Sequence, residues 1–481
     1  MDVIISTILT MRKIFYALTI LSGIGCASTR ISAKDNSTGY LNENMPASWN
    51  YSTSVTASEP PEDTDWWLNF DDLLLDSLID EGLKNNYNVS MAVKRINVAN
   101  IQVRQAMSGY YPTVGLSGAY NYSRNAGAIS GSSVPSSTSS HFSLGAKMNW
   151  EIDLFGKIAS QVKDKKSLLK VSKADFDGAM LSIAANIATY YMNMRTFQEK
   201  IFVTKEHLAS QAKVVEIAKA RFEAGLVSKL DVTQAESVYY STEAQIPQLE
   251  TSLNEAVNAL AVLLGVYPDA IRPRLSAAFI PPQYRHLVAT GIPADLLRRR
   301  PDIIAAEAQL ESYATRIGIA KKDYLPNLSL EGTIGVAAHN AKDLFGKNSV
   351  EYSITPTLSW TLFDGFSRKY AVQEAKEQLE EGIDNYNLTV LTAVNEVDNA
   401  MSSYLASLQT MDSNSNGLKQ STESFDLSVS LYKQGLTPFT NVVDAQINTL
   451  TYANSLITAR GDALVSLINL YKALGGSITA Q

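Results

Sequence analysis

Residues 142–156 read FSLGAKMNWEIDLFG, and 210 residues further on, residues 352–365 read YSITPTLSWTLFDG. In the first stretch Phe142, Leu144, Ala146, Met148, Trp150, Ile152 and Leu154 alternate with Ser143, Gly145, Lys147, Asn149, Glu151 and Asp153. The second alternates likewise, Tyr352, Ile354, Pro356, Leu358, Trp360 and Leu362 against Ser353, Thr355, Thr357, Ser359 and Thr361. Upstream of each lies a partner pattern: Val114, Leu116, Tyr120 and Tyr122, then Leu328, Leu330, Ile334 and Val336. Alternation with period two predicts strands with one apolar and one polar face. Such a sheet either covers a soluble core or turns its apolar face to lipid and its polar face to water. About 9–11 tilted residues then span a bilayer. Strand length, the aromatics and the Ser/Gly-rich stretch Gly127 to Ser140 favour the second reading.

The repetition extends beyond the strands. Gly225-Leu226 after Arg221-Phe222 answers to Gly435-Leu436 after Leu431-Tyr432, again 210 residues apart, and Tyr111-Pro112 answers to Tyr324-Leu325-Pro326. Two copies of one long unit therefore make up the body. Each strand pair precedes a proline-free stretch, Lys157 to Ala224 and Ser367 to Gln434. Met180, Ile187, Met194, Ile201, Leu208, Val215 and Phe222 stand seven apart, with Phe176, Ile183 and Tyr190 at the alternate positions. Val390, Val397, Tyr404, Met411, Leu418, Phe425 and Tyr432 repeat that seam. A sustained heptad predicts a coiled coil, and about 68 residues in a helix reach roughly 100 Å. Gly225 and Gly435 supply the positive φ that ends each helix. Return helices follow, and Pro247 predicts a kink in the first.

The 481 residues are 45% hydrophobic and 19% charged, with a net charge of −7 and no basic block for nucleic acid. Past residue 30 no apolar run is long enough for a membrane-spanning helix, so any crossing must be made by strands. His141, His207, His286 and His339 show no ligand spacing, and no phosphate-cradling glycine loop or Gly-x-Ser-x-Gly occurs, so neither a catalytic centre nor a metal site is expected. The acidic run Glu377 to Glu381 reads as a wet helix face. Arg298-Arg299-Arg300 reads as a helix-start cluster facing a neighbouring chain.

Met11-Arg12-Lys13 and the apolar stretch Ile14 to Ile24 form a targeting signal ahead of the only cysteine, Cys26. The segment resembles a bacterial lipoprotein signal. That resemblance implies cleavage before Cys26 and a diacylglycerol and N-acyl chain on it, although Gly23 stands where leucine is usual. An ordinary secretory signal is the alternative. No other cofactor is expected.

An open sheet of four strands cannot close a barrel alone, and bare edges in hydrocarbon are prohibitively costly. Several chains must then share one barrel, and three would supply twelve strands. With Trp66-Trp67, Arg299-Arg300-Pro301-Asp302, Trp150-Glu-Ile-Asp-Leu-Phe-Gly156, Leu362-Phe-Asp-Gly365 and Tyr432-Lys-Gln-Gly-Leu436 in order, residues 63–477 resemble the outer-membrane factor (TolC-like) family in its lipoprotein branch.

The resemblance implies a mainly α fold: a homotrimer whose helical hairpins form a periplasmic α-barrel below a twelve-stranded outer-membrane β-barrel. It implies passive passage of substrates from a periplasmic adaptor and an inner-membrane pump of the resistance-nodulation-division type, without catalysis. It places a periplasmic gate at Asp444, with Thr440 and Ile447 where related ducts carry a bulky apolar and a basic residue. Gly225, Leu226, Val227, Ser228, Gly435, Leu436 and Thr437 become adaptor-contacting tips.

The expected organisation is a signal peptide at 1–25 and an acylated linker at 26–62. The first repeat, 63–270, holds a helix, a β-hairpin at about 113–154 and long helices at about 157–224 and 229–265. The second, 271–477, holds a helix at about 302–323, a hairpin at about 327–363 and helices at about 366–434 and 440–475, before a tail at 478–481. The competing reading is a secreted or periplasmic coiled-coil scaffold without a pore; a passive porin would not need such helices.

Overall fold

The computed structural model describes residues 65–125, 136–276 and 299–476, together with Trp49 and the short parallel pair formed by Thr56–Ala57 and Val288–Ala289. The signal segment, Cys26, most of the linker, the tip of the Ser/Gly-rich loop, His286, Arg298 and the C-terminal tail lie outside the described residues.

Four strands form one antiparallel sheet in sequence order: β1 (Thr113–Asn125), β2 (Ser137–Ile152), β3 (Asn327–Ala338) and β4 (Val350–Ser359). The register sorts the side chains by chemistry. Leu116, Ala146, Ile334 and Tyr352 align in one row, and Gly115, Lys147, Thr333 and Ser353 in the next. The first row belongs to an apolar face on which Val114, Leu116, Ile334, Tyr352, Ile354 and Leu358 are all exposed. The other face carries polar cross-strand pairs, a Lys147–Glu331 ion pair at 3.3 Å and a Thr333–Ser353 hydroxyl contact at 2.6 Å. Gly145 pairs with Gly335 on that polar face, and a Cβ on Gly335 would lie 2.8 Å from the Leu144 carbonyl oxygen. Two neighbouring strands approach there more closely than any side chain permits. β1 and β4 have no partner on their outer edges among the described residues.

Helices α1 (Leu73–Asn85) and α2 (Tyr87–Met107) precede the sheet. After β2 comes α3 (Lys157–Glu223), returned by α4 (Lys229–Glu243), α5 (Gln245–Leu264) and the short α6 (Pro268–Leu275). α7 (Pro301–Lys322) leads to β3, and β4 leads to α8 (Ser367–Lys433) and its return, α9 (Phe439–Ala473). α3 and α8 have 67 residues each, roughly 100 Å at about 1.5 Å per residue. No described helix is long and apolar enough to cross a membrane. The break between α4 and α5 falls at Ala244, three residues before Pro247. Proline cannot donate to the Glu243 carbonyl and its ring crowds that group, so the chain yields just upstream.

Each strand pair is joined to its helix in the same way. The indole N–H of Trp150 donates to the Tyr110 carbonyl and that of Trp360 to the Tyr324 carbonyl, both at 3.0 Å. Asp153 then caps α3 by accepting from the Ile158 and Ala159 amides, and Asp364 accepts from the Arg368 amide.

The heptad seams are mostly buried or half-buried, including Ile187, Met194, Val390, Val397 and Tyr404, but Tyr190 and Phe222 stand exposed. At those two positions the described chain offers no facing helix.

Where the helices converge beneath the sheet, Trp66 stacks on Tyr471 at 5.5 Å, and Trp67, Phe70, Leu78, Ile187, Met194, Leu260 and Leu467 form a dry core. Asp72 holds this core together from a polar side: one oxygen caps α1 through the Leu74 and Leu75 amides, and the other accepts the Tyr191 hydroxyl at 2.6 Å. Arg300 corrects its sequence reading. It is buried within its own chain, donating to Asp302, Glu396 and the Ala473 carbonyl, and so satisfies the end of α9.

Asp76, in the first turn of α1, has a buried carboxylate oxygen with no hydrogen-bond partner. Burial, with Asp72, Asp80 and Asp71 close by, pushes its pKa up to about 6. Because the folded value is raised, the group favours folding at low pH, and that contribution is lost as pH rises through about 6. Asp76→Asn is therefore expected to stabilise the fold by about 1–3 kcal/mol at neutral pH and to leave it unchanged near pH 4, read as the shift in thermal midpoint at the two pH values.

Candidate functional site

The far ends of the two long hairpins lie side by side. α3 ends on Gly225 (φ +69°) and α8 on Gly435 (φ +75°), each in the left-handed conformation that a side chain would strain. In both, the glycine amide reaches back to the carbonyl of Phe222 or Tyr432, and the following leucine amide reaches that of Arg221 or Leu431. These paired bonds satisfy the orphan carbonyls and turn the chain sharply. Leu226 and Leu436 are left exposed beyond the turns, with Ser228 capping α4 through the Leu230 amide. The predicted tip residues, Gly225 to Ser228 and Gly435 to Thr437, thus form two neighbouring turns.

Behind them Val214, Ala218, Val232, Ala235, Tyr432, Phe439 and Val442 form a small apolar core shared by both hairpins. The polar part of this contact was not legible from spacing. The Tyr432 hydroxyl donates to Asp231 at 2.9 Å, joining α8 to α4. Arg221 donates to the Lys433 carbonyl at 2.7 Å, and its guanidinium lies 4.9 Å from the centre of the Tyr432 ring. The available signal was that Tyr432 places a hydroxyl where its counterpart Phe222 has none, opposite a helix that begins with an acid. Burial and the bond to Asp231 push the Tyr432 pKa up to about 12, so it remains a donor across the physiological range.

Thr440, Asp444 and Ile447, spaced four and three apart, occupy one exposed face of α9. Asp444 also borders an open polar groove of about 600 Å³ between α8 and α9, whose wall includes Glu423, Thr437 and Asn441. Glu423, a second acid beside Asp444, escaped the sequence reading because its spacing resembles that of any exposed helix carboxylate. Among the described residues no group of three or more His, Cys, Asp or Glu side chains is placed to hold a metal ion.

The family model described as Outer membrane efflux protein matches residues 78–266 and 292–476. The chain belongs to that family. Nodulation protein T of Rhizobium leguminosarum bv. viciae is 28% identical over 415 residues, covering 86% of this chain and 84% of the relative. The toluene efflux pump outer membrane protein TtgC of Pseudomonas putida is 26% identical over 429 residues, covering 89% and 88%. Among solved structures, the outer-membrane channel OprN superimposes with a TM-score of 0.83 at 26% identity, covering 90% of this chain and 97% of that one.

This outer membrane efflux protein has the mainly helical fold, with a small sheet, of TolC-like channels. It is an outer-membrane channel component of an efflux system. The family is one of channels, and the poreless scaffold finds no support.

Tyr432→Phe removes the hydroxyl that joins the hairpins while keeping the ring in its core. It is expected to cost about 0.5–1.5 kcal/mol in tip stability and to raise the fraction of time the channel conducts in planar bilayers. An unchanged open fraction would mean that the Tyr432–Asp231 bond does not restrain the tips.

Proposed function

We propose that three copies of the chain close one twelve-stranded barrel and one helical tube, forming a duct that is gated at its periplasmic end. The observation that carries this reading is the four-stranded sheet with two unpaired edges and a bare apolar face. An even number of antiparallel strands leaves β1 and β4 running in opposite directions, so that β4 of one copy pairs antiparallel with β1 of the next. Such a ring satisfies every edge amide in hydrocarbon. Tyr120, Tyr122 and Phe142 toward one end of the sheet and Trp150 and Trp360 at the other suit the two membrane interfaces. Exposed Tyr190 and Phe222 gain the facing helices that a single chain lacks.

The repeated Trp150 and Trp360 bonds and the matched glycine turns support descent of the two halves from one duplicated unit. Asp444, with Thr440 one turn before it, forms the gate in this reading: three carboxylates converging on the axis favour cations. The exposed turns at Gly225 to Ser228 and Gly435 to Thr437 meet the periplasmic adaptor. The relatives' names as pump components support a pump as partner, and the sequence resemblance supports its resistance-nodulation-division type. Acylation of Cys26, supported by the residues before it, adds a lipid anchor.

The test is the native mass of the detergent-extracted protein together with its ion selectivity. A mass of three chains is expected, with cation preference in planar bilayers that falls in Asp444→Asn while the mass is unchanged. A monomer would overturn the shared barrel, and a trimer with unaltered selectivity would move the gate away from Asp444.

A further inference from the structure

Two of the chain's four histidines, His141 and His339, lie at the end of the sheet remote from the long helices. Asn121 pairs with His141 across β1 and β2, and Phe142 pairs with Ala338 across β2 and β3. His141 is the next residue outward on β2, and His339 follows the last residue of β3. Alternation puts His141 on the face that carries Lys147 and Thr333, the polar one, and His339 lies in the bend just past its strand. β3 stops at Ala338 while β2 continues, leaving β2 carbonyls without a strand partner on that side. His339 fills part of this gap: its Nδ1 lies 2.7 Å from the Ser140 carbonyl oxygen. Only a ring N–H can face a carbonyl at that distance, so Nδ1 carries a proton, and in the neutral ring Nε2 is left with its lone pair. The His141 Nε2 lies 3.5 Å from the Asn121 side-chain nitrogen; in the Nδ1–H tautomer its lone pair faces that amide, and a bound ion takes the amide's place.

We propose that His141 and His339 bind a late first-row divalent cation, Ni2+, Cu2+ or Zn2+, on the polar face of the sheet. Neutral imidazole is the preferred ligand of these ions, with Cu2+ bound most tightly. The Ser140 contact sets the His339 ring beside the residue that precedes His141 on β2, and two imidazoles hold one ion at about 2.0–2.1 Å from each nitrogen. The His339 Nδ1–H bond to a backbone carbonyl is the arrangement that fixes the tautomer and orientation of a metal-ligating ring. Asn121 stands next in the same row, and turning its amide would present an oxygen. Both imidazoles are exposed, so water completes the coordination and the site exchanges readily. In the duct proposed above, on which this placement rests, the ion sits on the luminal wall at the outer mouth and adds positive charge to the path of the cargo. Binding itself needs only the two hairpins of one chain.

The full-length protein in detergent would be titrated calorimetrically with Ni2+ and, separately, with Cu2+ as the salt alone. One ion per chain is expected, with affinity weakened at least about tenfold in His141→Gln and in His339→Gln and unchanged in His207→Gln. Electron paramagnetic resonance of the Cu2+-loaded wild type gives a reading independent of any variant: hyperfine coupling to two imidazole nitrogens is expected. Absence of binding, coupling to fewer than two imidazoles, or affinity unmoved in both glutamine variants would overturn the site. A monomeric native mass with one ion per chain would sink the duct and leave the site. A trimer that binds nothing would do the reverse.

Discussion

A β-sheet edge is a row of amide and carbonyl groups that must find partners, and in hydrocarbon water cannot supply them. Each unmet group costs several kcal/mol. The sheet of this protein carries two such edges, on β1 and β4, next to an apolar face that no described element covers. In the proposed duct these edges are met by copies of the same chain. The glycine pair at positions 145 and 335 presses two strands together on the polar side. The Trp150 and Trp360 indoles tie the base of each hairpin to the segment before it, and Asp153 and Asp364 start the helices at a fixed angle.

The helices carry that geometry away from the sheet through contacts of changing character. Beneath the sheet the packing is dry and aromatic, with Tyr191 and Asp72 fixing its polar margin and Arg300 closing the end of α9. Midway it turns polar: Thr204, Gln211 and Gln446 are buried there with side-chain atoms that make no hydrogen bond within the chain. At the tips a compact apolar cluster returns, joined by Tyr432, Asp231 and Arg221. A few bonds at the tip therefore hold the two hairpins together.

The strands and long helices were legible because their signals are periodic and local: alternation from Phe142 to Leu154, and heptads from Met180 to Phe222. Register followed from the same pattern, since sliding a strand by one residue would turn the row containing Leu116 and Tyr352 to water. The glycine ends of α3 and α8 were legible because only glycine holds a positive φ without strain. Contacts between residues distant in sequence were not. Arg300 reads in the sequence as part of a helix-start cluster facing a neighbouring chain, whereas its burial depends on Glu396 and the Ala473 carbonyl, which no spacing connects to it. Tyr432 read as a seam residue because its hydroxyl gains meaning only when α4 brings Asp231 beside it. His141 and His339 looked isolated for the same reason, lying on different hairpins.

The most direct measurement of the shared barrel is cross-linking between sheet edges. Cysteines placed at Gly115 or Ser117 on β1 and at Thr355 or Thr357 on β4, with Cys26→Ser as background, sit on opposite edges of one sheet and cannot meet within a chain. If β4 of one copy pairs with β1 of the next, oxidation of the intact outer membrane yields covalent dimers and a trimer, and nothing larger, on denaturing gels. Chains that remain monomeric across the whole set of pairs would contradict the shared barrel.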